Sequence, residues 1–191
     1  MSGESKVIVI SSGEDVRENF AITAKECGFA SVSVSDGTDV RPIIEKGGFD
    51  LVIINTPLAD EFGLDLISFT LKNTNAAVIA AASQKNCDEI NRKLGEHTAM
   101  ILPKPLNKAI LAQSIRFAMS SRAAMLKLEA EKEKLETKLA NMKQIDRAKC
   151  VLIQYLRISE AEAHRQIQKR AMDQRVPEIE IAMDILRTYE M

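Results

Sequence analysis

The stretch DLVIINTP at residues 50–57 holds the first candidate for chemistry. Residues 51–54 are continuously apolar and mostly β-branched, which predicts a strand buried on both faces of a parallel sheet. Asn55 follows this strand directly, and ligands of α/β sheets bind at the carboxyl ends of the strands. Asn55 is therefore expected where catalytic side chains stand in such folds, but an amide is a poor nucleophile and a poor acid or base.

Basic side chains near the C-terminus are the second candidate. Residues 143–175 carry eight Lys and Arg against four Asp and Glu, a net charge of +4, whereas residues 1–121 carry 12 against 15, a net charge of −3. Such a cluster can neutralise phosphates and stack guanidinium planes on unpaired RNA bases, and the alternative is a solvated charged face. The candidate residues are Arg147, Lys149, Arg157, Arg165, Lys169 and Arg170.

The composition describes a soluble folded protein, with 46% hydrophobic and 28% charged residues among 191. No apolar run approaches the about 20 residues of a membrane span, and no signal peptide is recognisable, so we expect a cytoplasmic protein with no membrane partner. The three cysteines are widely spaced and have no nearby histidines, which predicts neither disulfides nor a zinc site. We expect no cofactor and no metal.

Five strands alternating with five helices are predicted to position Asn55. Short turns join them, which indicates an α/β fold with a five-stranded parallel sheet covered on both faces, over residues 1–121. The predicted strands are 6–10, 31–35, 50–54, 76–82 and 99–102. The predicted helices are 14–27, 38–47, 64–72, 88–95 and one from about Lys108, capped by Asn107.

Residues 122–144 are expected to continue the fifth helix as a coiled-coil linker. Residues 119–146 contain no Gly and no Pro. A heptad seam of about three repeats is marginal for a coiled coil, so a parallel homodimer and a solvated single helix both remain open. The seam residues are Met125, Lys132, Leu139 and Asp146 at a, and Leu128, Leu135 and Met142 at d.

Residues 145–191 are predicted to form a small three-helix α domain. Ser159 and Glu162 have the spacing of a capping box that begins one helix, ending near Gln174, and Pro177 begins the last. Each helix has an apolar stripe to bury. The stripes are Ile145, Ala148, Leu152 and Tyr155; Ala163, Ile167 and Ala171; and Ile179, Ala182, Met183 and Leu186.

The first 121 residues resemble a response-regulator receiver domain, a flavodoxin-like fold. The resemblance rests on the order of elements and on KVIVI, NTPLADEFG and ILPKPL. Receivers transfer a phosphoryl group to an aspartate after strand three, with an acidic pair after strand one holding Mg²⁺ and a lysine, usually before a cis proline, after strand five. The matching positions here are Asn55, the pair Ser11 and Ser12, and Lys104.

These replacements imply a pseudo-receiver that is not phosphorylated. An amide does not form an acyl phosphate, and hydroxyls do not replace the carboxylates that Mg²⁺ prefers. Glu14 and Asp15 are expected in the first turn of helix one, with Ser11 and Ser12 as caps, rather than in a metal site. For Lys104 we expect a hydrogen bond to Asn55 or to a strand-end carbonyl.

Residues 145–186 resemble an ANTAR domain, the RNA-binding module of transcription antitermination regulators. The resemblance is carried by Ala148 with Lys149, Ser159 with Glu160, and Ala171 with Met172, among others, whereas Cys150, His164 and Gln168 depart from the family pattern. It implies a bacterial response regulator of two-component signal transduction type that binds paired stem-loops in a nascent leader transcript as a homodimer. Because the receiver fold is kept around a disabled pocket, we expect the pseudo-receiver to be a docking surface for a regulatory protein partner or for its own dimer.

Other function classes compete with this interpretation. A protein-interaction scaffold without nucleic-acid binding would use the C-terminal helices for docking. A DNA-binding regulator is less well supported, because residues 176–191 are acidic and no basic recognition helix follows a turn. An enzyme is the weakest reading, since the sequence offers no set of nucleophile, base and orienting group.

Overall fold

The computed structural model describes residues 5–94 and 99–189. The chain divides into two compact units, Met1–Leu126 and Lys127–Met191. Helix α5, Lys108–Leu156, contributes residues to each unit. In the described ranges, no helix combines the length and the apolar character that crossing a membrane requires.

Unit 1 contains the alternation of strands and helices that the sequence predicts. Its strands are β1 Lys6–Ile10, β2 Ala30–Val34, β3 Leu51–Asn55, β4 Ala77–Ser83 and β5 Met100–Lys104. Its helices are α1 Glu14–Glu26, α2 Gly37–Glu45, α3 Leu64–Asn73, α4 Gln84–Leu94 and the first part of α5. Helix α4 begins four residues earlier than predicted, because its first turn is polar except for the buried Cys87 and gives little periodic signal.

The sheet is parallel throughout, with strand order β2-β1-β3-β4-β5. The strand order reverses between the neighbours β1 and β3, which are paired with Val7 opposite Leu51 and Ile10 opposite Ile54. Such a reversal leaves a crevice at the carboxyl ends of the two strands, where α/β proteins bind ligands. Ser11 and Asn55 lie at this edge.

Each face of the sheet is covered by a separate hydrophobic core. Ile8, Val52 and Ile54 face one core, which is completed by side chains of α2, α3 and α4. Val7, Val9, Leu51 and Ile53 face the other, which α1 and α5 complete with Phe20, Ala24, Leu111 and Ile115. The predicted burial of β3 on both faces is confirmed, since all five of its residues are buried.

Unit 2 contains the rest of α5 with α6 Glu160–Gln174 and α7 Glu178–Tyr189. Helix α7 begins one residue after Pro177, which was expected at its first position. The predicted continuation of α5 without a break is confirmed. The apolar residues of its heptad seam are exposed in the single chain, with Leu135 65% and Leu139 55% accessible.

The three helices of unit 2 bury a small core of their own. Ala148, Leu152, Ala163, Ile167, Ala171, Ala182 and Leu186 were predicted and are buried, and Val151, Ile181 and Ile185 join them. The predictions for Tyr155 and Met183 were wrong, because these side chains are 58% and 39% exposed. Tyr155 lies one residue from the end of α5 and packs on Tyr189 with ring centroids 5.0 Å apart. On α7, Ile181 and Ile185 take the buried positions that the prediction gave to Met183.

Candidate RNA interface and strand-end pocket

Two of the predicted basic residues lie together on α6. Arg165 and Lys169 are one helical turn apart, exposed, and line a shallow cleft of about 220 Å³. Ile158, Glu162 and Gln166 form the rest of its wall. A cleft with two long cations beside an apolar wall can hold a phosphate and an unpaired base together.

The N-terminus of α6 is fixed by the predicted capping box, which is confirmed. The Glu162 N–H donates to Ser159 Oγ at 3.3 Å, and the Ser159 N–H donates to Glu162 Oε2 at 2.9 Å. The Ser159 N–H and then the Ser159 hydroxyl lower the pKa of Glu162 by bonding its charged form. These bonds fix the first turn of α6, the helix that carries Arg165 and Lys169.

Sequence reasoning missed the contribution of Ile158 to this cleft. Ile158 is half-buried against the unit 2 core and precedes the capping residue Ser159. A hydrophobic residue at this position commonly packs against the fourth helical residue, here Ala163, as a hydrophobic staple. The signal was therefore present in the sequence, as an apolar residue directly before a capping box.

Lys149 is placed differently from the α6 cations. Its ammonium pairs with Asp146 Oδ1 at 2.7 Å and with Glu160 Oε1 at 3.2 Å, and its side chain is only 16% exposed. Hydrogen bonds from the Lys149 ammonium to Asp146 and then to Glu160 raise the pKa of Lys149. The ammonium therefore links α5 to the first turn of α6.

The remaining predicted cations are exposed in unit 2. Arg170 is on α6, next to Lys169, and Arg147 is on α5. Arg157 follows the end of α5 with a left-handed backbone, φ 56°. His164, one of the departures from the family pattern, is half-buried on α6, and its Nδ1 is buried without a described partner.

At the sheet edge, the structure brings Asn55 and Ser11 into contact. Asn55 Nδ2 donates to Ser11 Oγ at 2.9 Å, and Ser11 Oγ donates to the Gly13 carbonyl at 3.2 Å. Ser11 is fully buried and Asn55 is 8% exposed. Because its hydroxyl is used in these bonds, the expectation that Ser11 caps α1 was wrong. Gly13 is the N-cap residue of α1, and no side chain caps it.

Ser12 is exposed and does not join this pair, so the expectation that it caps α1 was also wrong.

Lys104 Nζ donates to the Thr56 carbonyl, which is the strand-end hydrogen bond expected for it. Partial burial lowers the pKa of Lys104. The peptide bonds Thr56–Pro57 and Lys104–Pro105 are cis.

The strand-end positions offer hydroxyls, an amide and an ammonium, but no carboxylate. Phosphoryl transfer needs an acceptor that can form a phosphoester or acyl phosphate and a cation to stabilise the transferred charge. In the part of the chain that the structure describes, no group of three or more His, Cys, Asp and Glu side chains is arranged to hold a metal ion. The pocket keeps a polar lining without the groups of receiver chemistry.

Comparisons with known proteins find matches to both parts of the chain. Residues 133–186 match the ANTAR domain family. The match begins within the segment predicted as a linker. The chain is similar to the transcriptional regulatory protein PdtaR of Mycobacterium tuberculosis H37Rv, with 26% identity over 184 residues, covering 96% of this chain and 90% of that protein.

Solved receiver structures share the fold of unit 1. A response regulator receiver domain protein from Clostridium thermocellum superposes with a TM-score of 0.58 at 21% identity, covering 63% of this chain and 98% of that one. A receiver domain from an HD domain-containing protein of Pseudomonas fluorescens Pf-5 gives 0.60 at 16% identity, covering 66% and 95%. The chain thus combines a unit with the fold of receiver domains and a segment, residues 133–186, that matches the ANTAR domain family.

Proposed function

We propose that this ANTAR response regulator is a transcription antiterminator that binds paired stem-loops in nascent leader RNA. The observation that carries the proposal is the cleft on α6, where Arg165 and Lys169 are exposed together in a domain that matches the ANTAR family. The similar protein from Mycobacterium tuberculosis is a transcriptional regulatory protein, which supports the same class of function.

The chemistry of the cleft suits an RNA loop. Arg165 and Lys169 neutralise backbone phosphates, and the planar guanidinium of Arg165 stacks on an unpaired base. Ile158 gives that base an apolar surface on the other side. The positive potential is extended beyond the cleft by Arg147, Arg157 and Arg170. Lys149 acts mainly by holding α5 against α6, and its charge attracts only RNA phosphates that lie close to it.

A homodimer formed through the α5 seam fits a target with two stem-loops. Leu128, Leu135, Leu139 and Met142 are each more than half exposed in the single chain, so pairing with a second copy buries them. The seam is short for an isolated coiled coil. Linking two RNA-binding modules raises the apparent affinity for a two-hairpin RNA through effective concentration.

Control is independent of phosphorylation in this proposal. Asn55, Ser11 and Ser12 replace the carboxylates that accept the phosphoryl group and hold Mg²⁺ in receivers. The receiver fold nevertheless keeps two complete cores. We assign this retained domain to docking a regulatory protein partner, and the regulation acts through that contact.

The direct test is a titration of the purified full chain against a two-hairpin leader RNA and a loop-scrambled control. We expect loop-dependent binding that weakens by about 10³-fold or more between about 50 and about 200 mM salt, since several phosphates are neutralised. Arg165→Ala and Lys169→Ala should each weaken it, whereas Arg187→Ala, an exposed arginine on α7 that pairs with Asp184, should not. Equal binding to both RNAs, or equal effects of all three variants, would refute the proposed interface.

A protein-interaction scaffold is the second candidate, and exposed apolar surface on unit 2 favours it. Met172 is 78% exposed and lines an open cleft of about 620 Å³ with Val176 and Pro177. Exposed methionine is common at adaptable protein-binding surfaces. The salt dependence of binding distinguishes the two functions. Protein docking through Met172 depends weakly on ionic strength, whereas RNA binding depends on it steeply.

A further inference from the structure

A cavity of about 330 Å³ opens beside the strand-end pocket of unit 1. Helix α1, the end of β3, and the segment from Lys104 into α5 form its wall. Phe20, Leu106 and Leu111 contribute apolar surface, and Asn55 and Lys104 contribute polar groups. Its volume lies at the lower end of the range of about 300–1,000 Å³ for small-molecule sites, which combine apolar walls with a few polar groups.

Lys104 is the cation that this cavity offers to a ligand. Of its three ammonium N–H donors, one is used by the Thr56 carbonyl. Among the described residues, no carboxylate lies within ion-pair distance of Lys104 Nζ, and no Asp or Glu lines the cavity. The second lysine in the wall, Lys108, is already paired with Glu26 at 2.6 Å.

Asn55 supplies an acceptor that the folded chain does not use. Ser11 Oγ donates its proton to the Gly13 carbonyl, so it can only accept from the amide, and this fixes Nδ2 toward Ser11. Asn55 Oδ1 is left buried and without a hydrogen-bond partner in the described part of the chain. A buried polar atom without a partner destabilises the folded state, and a ligand donor would relieve that cost.

We propose that this cavity binds a small hydroxycarboxylate with an apolar tail. The carboxylate pairs with Lys104, the neighbouring hydroxyl donates to Asn55 Oδ1, and the tail packs against Phe20, Leu106 and Leu111. Asn55 Oδ1 is buried in the structure, so in this proposal the hydroxyl reaches it after a small side-chain adjustment in the wall. The proposal gives unit 1 a ligand of its own and does not depend on RNA binding by unit 2.

The polar groups also discriminate against inorganic phosphate. At neutral pH phosphate keeps a P–OH donor, but its charged oxygens sit on the same small atom and would crowd against the Asn55 carbonyl oxygen, which repels them. Phosphate also lacks an apolar tail, so it leaves the walls formed by Phe20, Leu106 and Leu111 in contact with water. A hydroxycarboxylate satisfies the donor, the acceptor and the apolar wall together.

The test uses the ¹⁵N-labelled full chain and three probes: 2-hydroxy-4-methylpentanoate, 4-methylpentanoate without the hydroxyl, and inorganic phosphate. Binding is followed by calorimetry and by the side-chain amide signals of Asn55 in ¹H–¹⁵N spectra. We expect the hydroxy acid to bind and to move the Asn55 signals. The probe without the hydroxyl should bind at least about tenfold more weakly, and phosphate more weakly still.

Two variants and a control test the location of the site. Lys104→Met keeps the aliphatic stem and should reduce binding at least about tenfold. Val16→Trp adds bulk to the cavity wall from a partly exposed position and should also reduce binding, without touching the polar groups. Lys72→Met, a lysine of a different cavity, should leave binding unchanged.

Several results would overturn the proposal. The proposal is overturned if the hydroxy acid does not bind at millimolar concentration. It is also overturned if phosphate binds with equal affinity, because the site would then be a general anion site. Binding unaffected by both Lys104→Met and Val16→Trp, with circular dichroism showing that the variants are folded, would place the ligand elsewhere. These experiments measure ligand binding to unit 1 and use no RNA, so their failure can be told apart from failure of RNA binding by unit 2.

Discussion

Asn55 donates a hydrogen bond from Nδ2 to the Ser11 hydroxyl over 2.9 Å, and so joins the last residue of β3 to the turn after β1. The two strands are neighbours at the point where the strand order reverses. In a receiver, carboxylates at these two positions repel one another until a cation is bound. Here a neutral donor and a neutral acceptor are paired, so the edge of the sheet is stabilised without a metal.

The first prediction concerns phosphorylation. Full-length protein incubated with Mg²⁺ and acetyl phosphate should gain no phosphoryl group in unit 1, since Asn55 cannot form an acyl phosphate. Intact-protein mass spectrometry measures this, with an aspartate-containing receiver domain as the positive control. An acid-labile phosphoryl group at stoichiometric level would contradict control that is independent of phosphorylation.

The second prediction concerns Lys149, whose ammonium bridges Asp146 and Glu160. Lys149→Met should lower the free energy of unfolding of unit 2 by about 1 kcal/mol, because two ion pairs with exposed carboxylates are lost. The folded-state pKa of Lys149 is raised, so this stabilisation is present below the unfolded pKa and is lost as the pH rises through the folded value. Denaturant unfolding from neutral pH to above about pH 10 measures it.

Variants of Lys149 also show whether its ammonium positions the helices or contacts RNA directly. If its ammonium acts by linking the helices, Lys149→Ala should weaken RNA binding less than Arg165→Ala does. A loss of affinity as large as that of Arg165→Ala, with unfolding unchanged, would instead show that the ammonium contacts RNA.

The third prediction concerns the α5 seam. Leu135→Asp should convert the proposed homodimer to a monomer, because a carboxylate at a d position cannot be buried against a second copy without cost. Sedimentation equilibrium measures the change, and Thr137→Asp, on the opposite side of the helix, is the control. Affinity for a two-hairpin RNA should fall by about 10²-fold or more while single-hairpin binding is retained. An unchanged dimer would place the interface elsewhere.

The fourth prediction concerns Asp60, whose carboxylate accepts from the N–H groups of Gly37 and Thr38 at the start of α2 and from the Thr38 hydroxyl. The Gly37 N–H and then the Thr38 hydroxyl lower the pKa of Asp60 to about 2. The stabilisation is therefore present above the unfolded pKa of about 3.9 and is lost as the pH falls toward 2. In the Asp60→Asn variant, the stability measured by thermal unfolding should therefore depend less on pH in this range. The exposed Asp88→Asn is the matched control, and equal curves for the two variants would contradict the assignment.

The fifth prediction concerns Ile167, which is fully buried in the unit 2 core. Ile167→Ala should destabilise that core by about 2–5 kcal/mol, because a cavity replaces packed side-chain atoms. Hydrogen exchange should then show lost protection in α6 and α7 while β1 and β3 remain protected. Uniform loss of protection across the sheet strands would contradict separate cores.

Local signals made most elements predictable. The apolar run of β3, the capping box of α6 and the Asn107 cap of α5 are each encoded within a few residues, and the structure contains all three. Contacts between distant residues were not predictable in the same way. The sequence marked Ser11 as a cap because serine favours that position, but the bond from Asn55, 44 residues away, determines its role.

The candidate interface shows the same limit. Arg165 and Lys169 share a face because of their spacing on one helix. The partner of Lys149 on α6, Glu160, lies beyond the turn that ends α5, so helical spacing alone could not assign the pair. Tyr155 and Met183 were misplaced because a stripe shows which face is apolar, while packing of the neighbouring helix decides how far the buried part extends.

The unbroken α5 has a consequence for how this protein can be recombined. Leu111 and Ile115 complete the sheet core, and Ala148 and Leu152 complete the three-helix core, yet all four belong to one helix. Most domains are joined by a flexible segment, where exchange of one domain leaves the other intact. Here no Gly or Pro interrupts residues 119–146. A gene fusion that exchanged the three-helix unit for a different output domain would have to join two helices within one continuous helical segment.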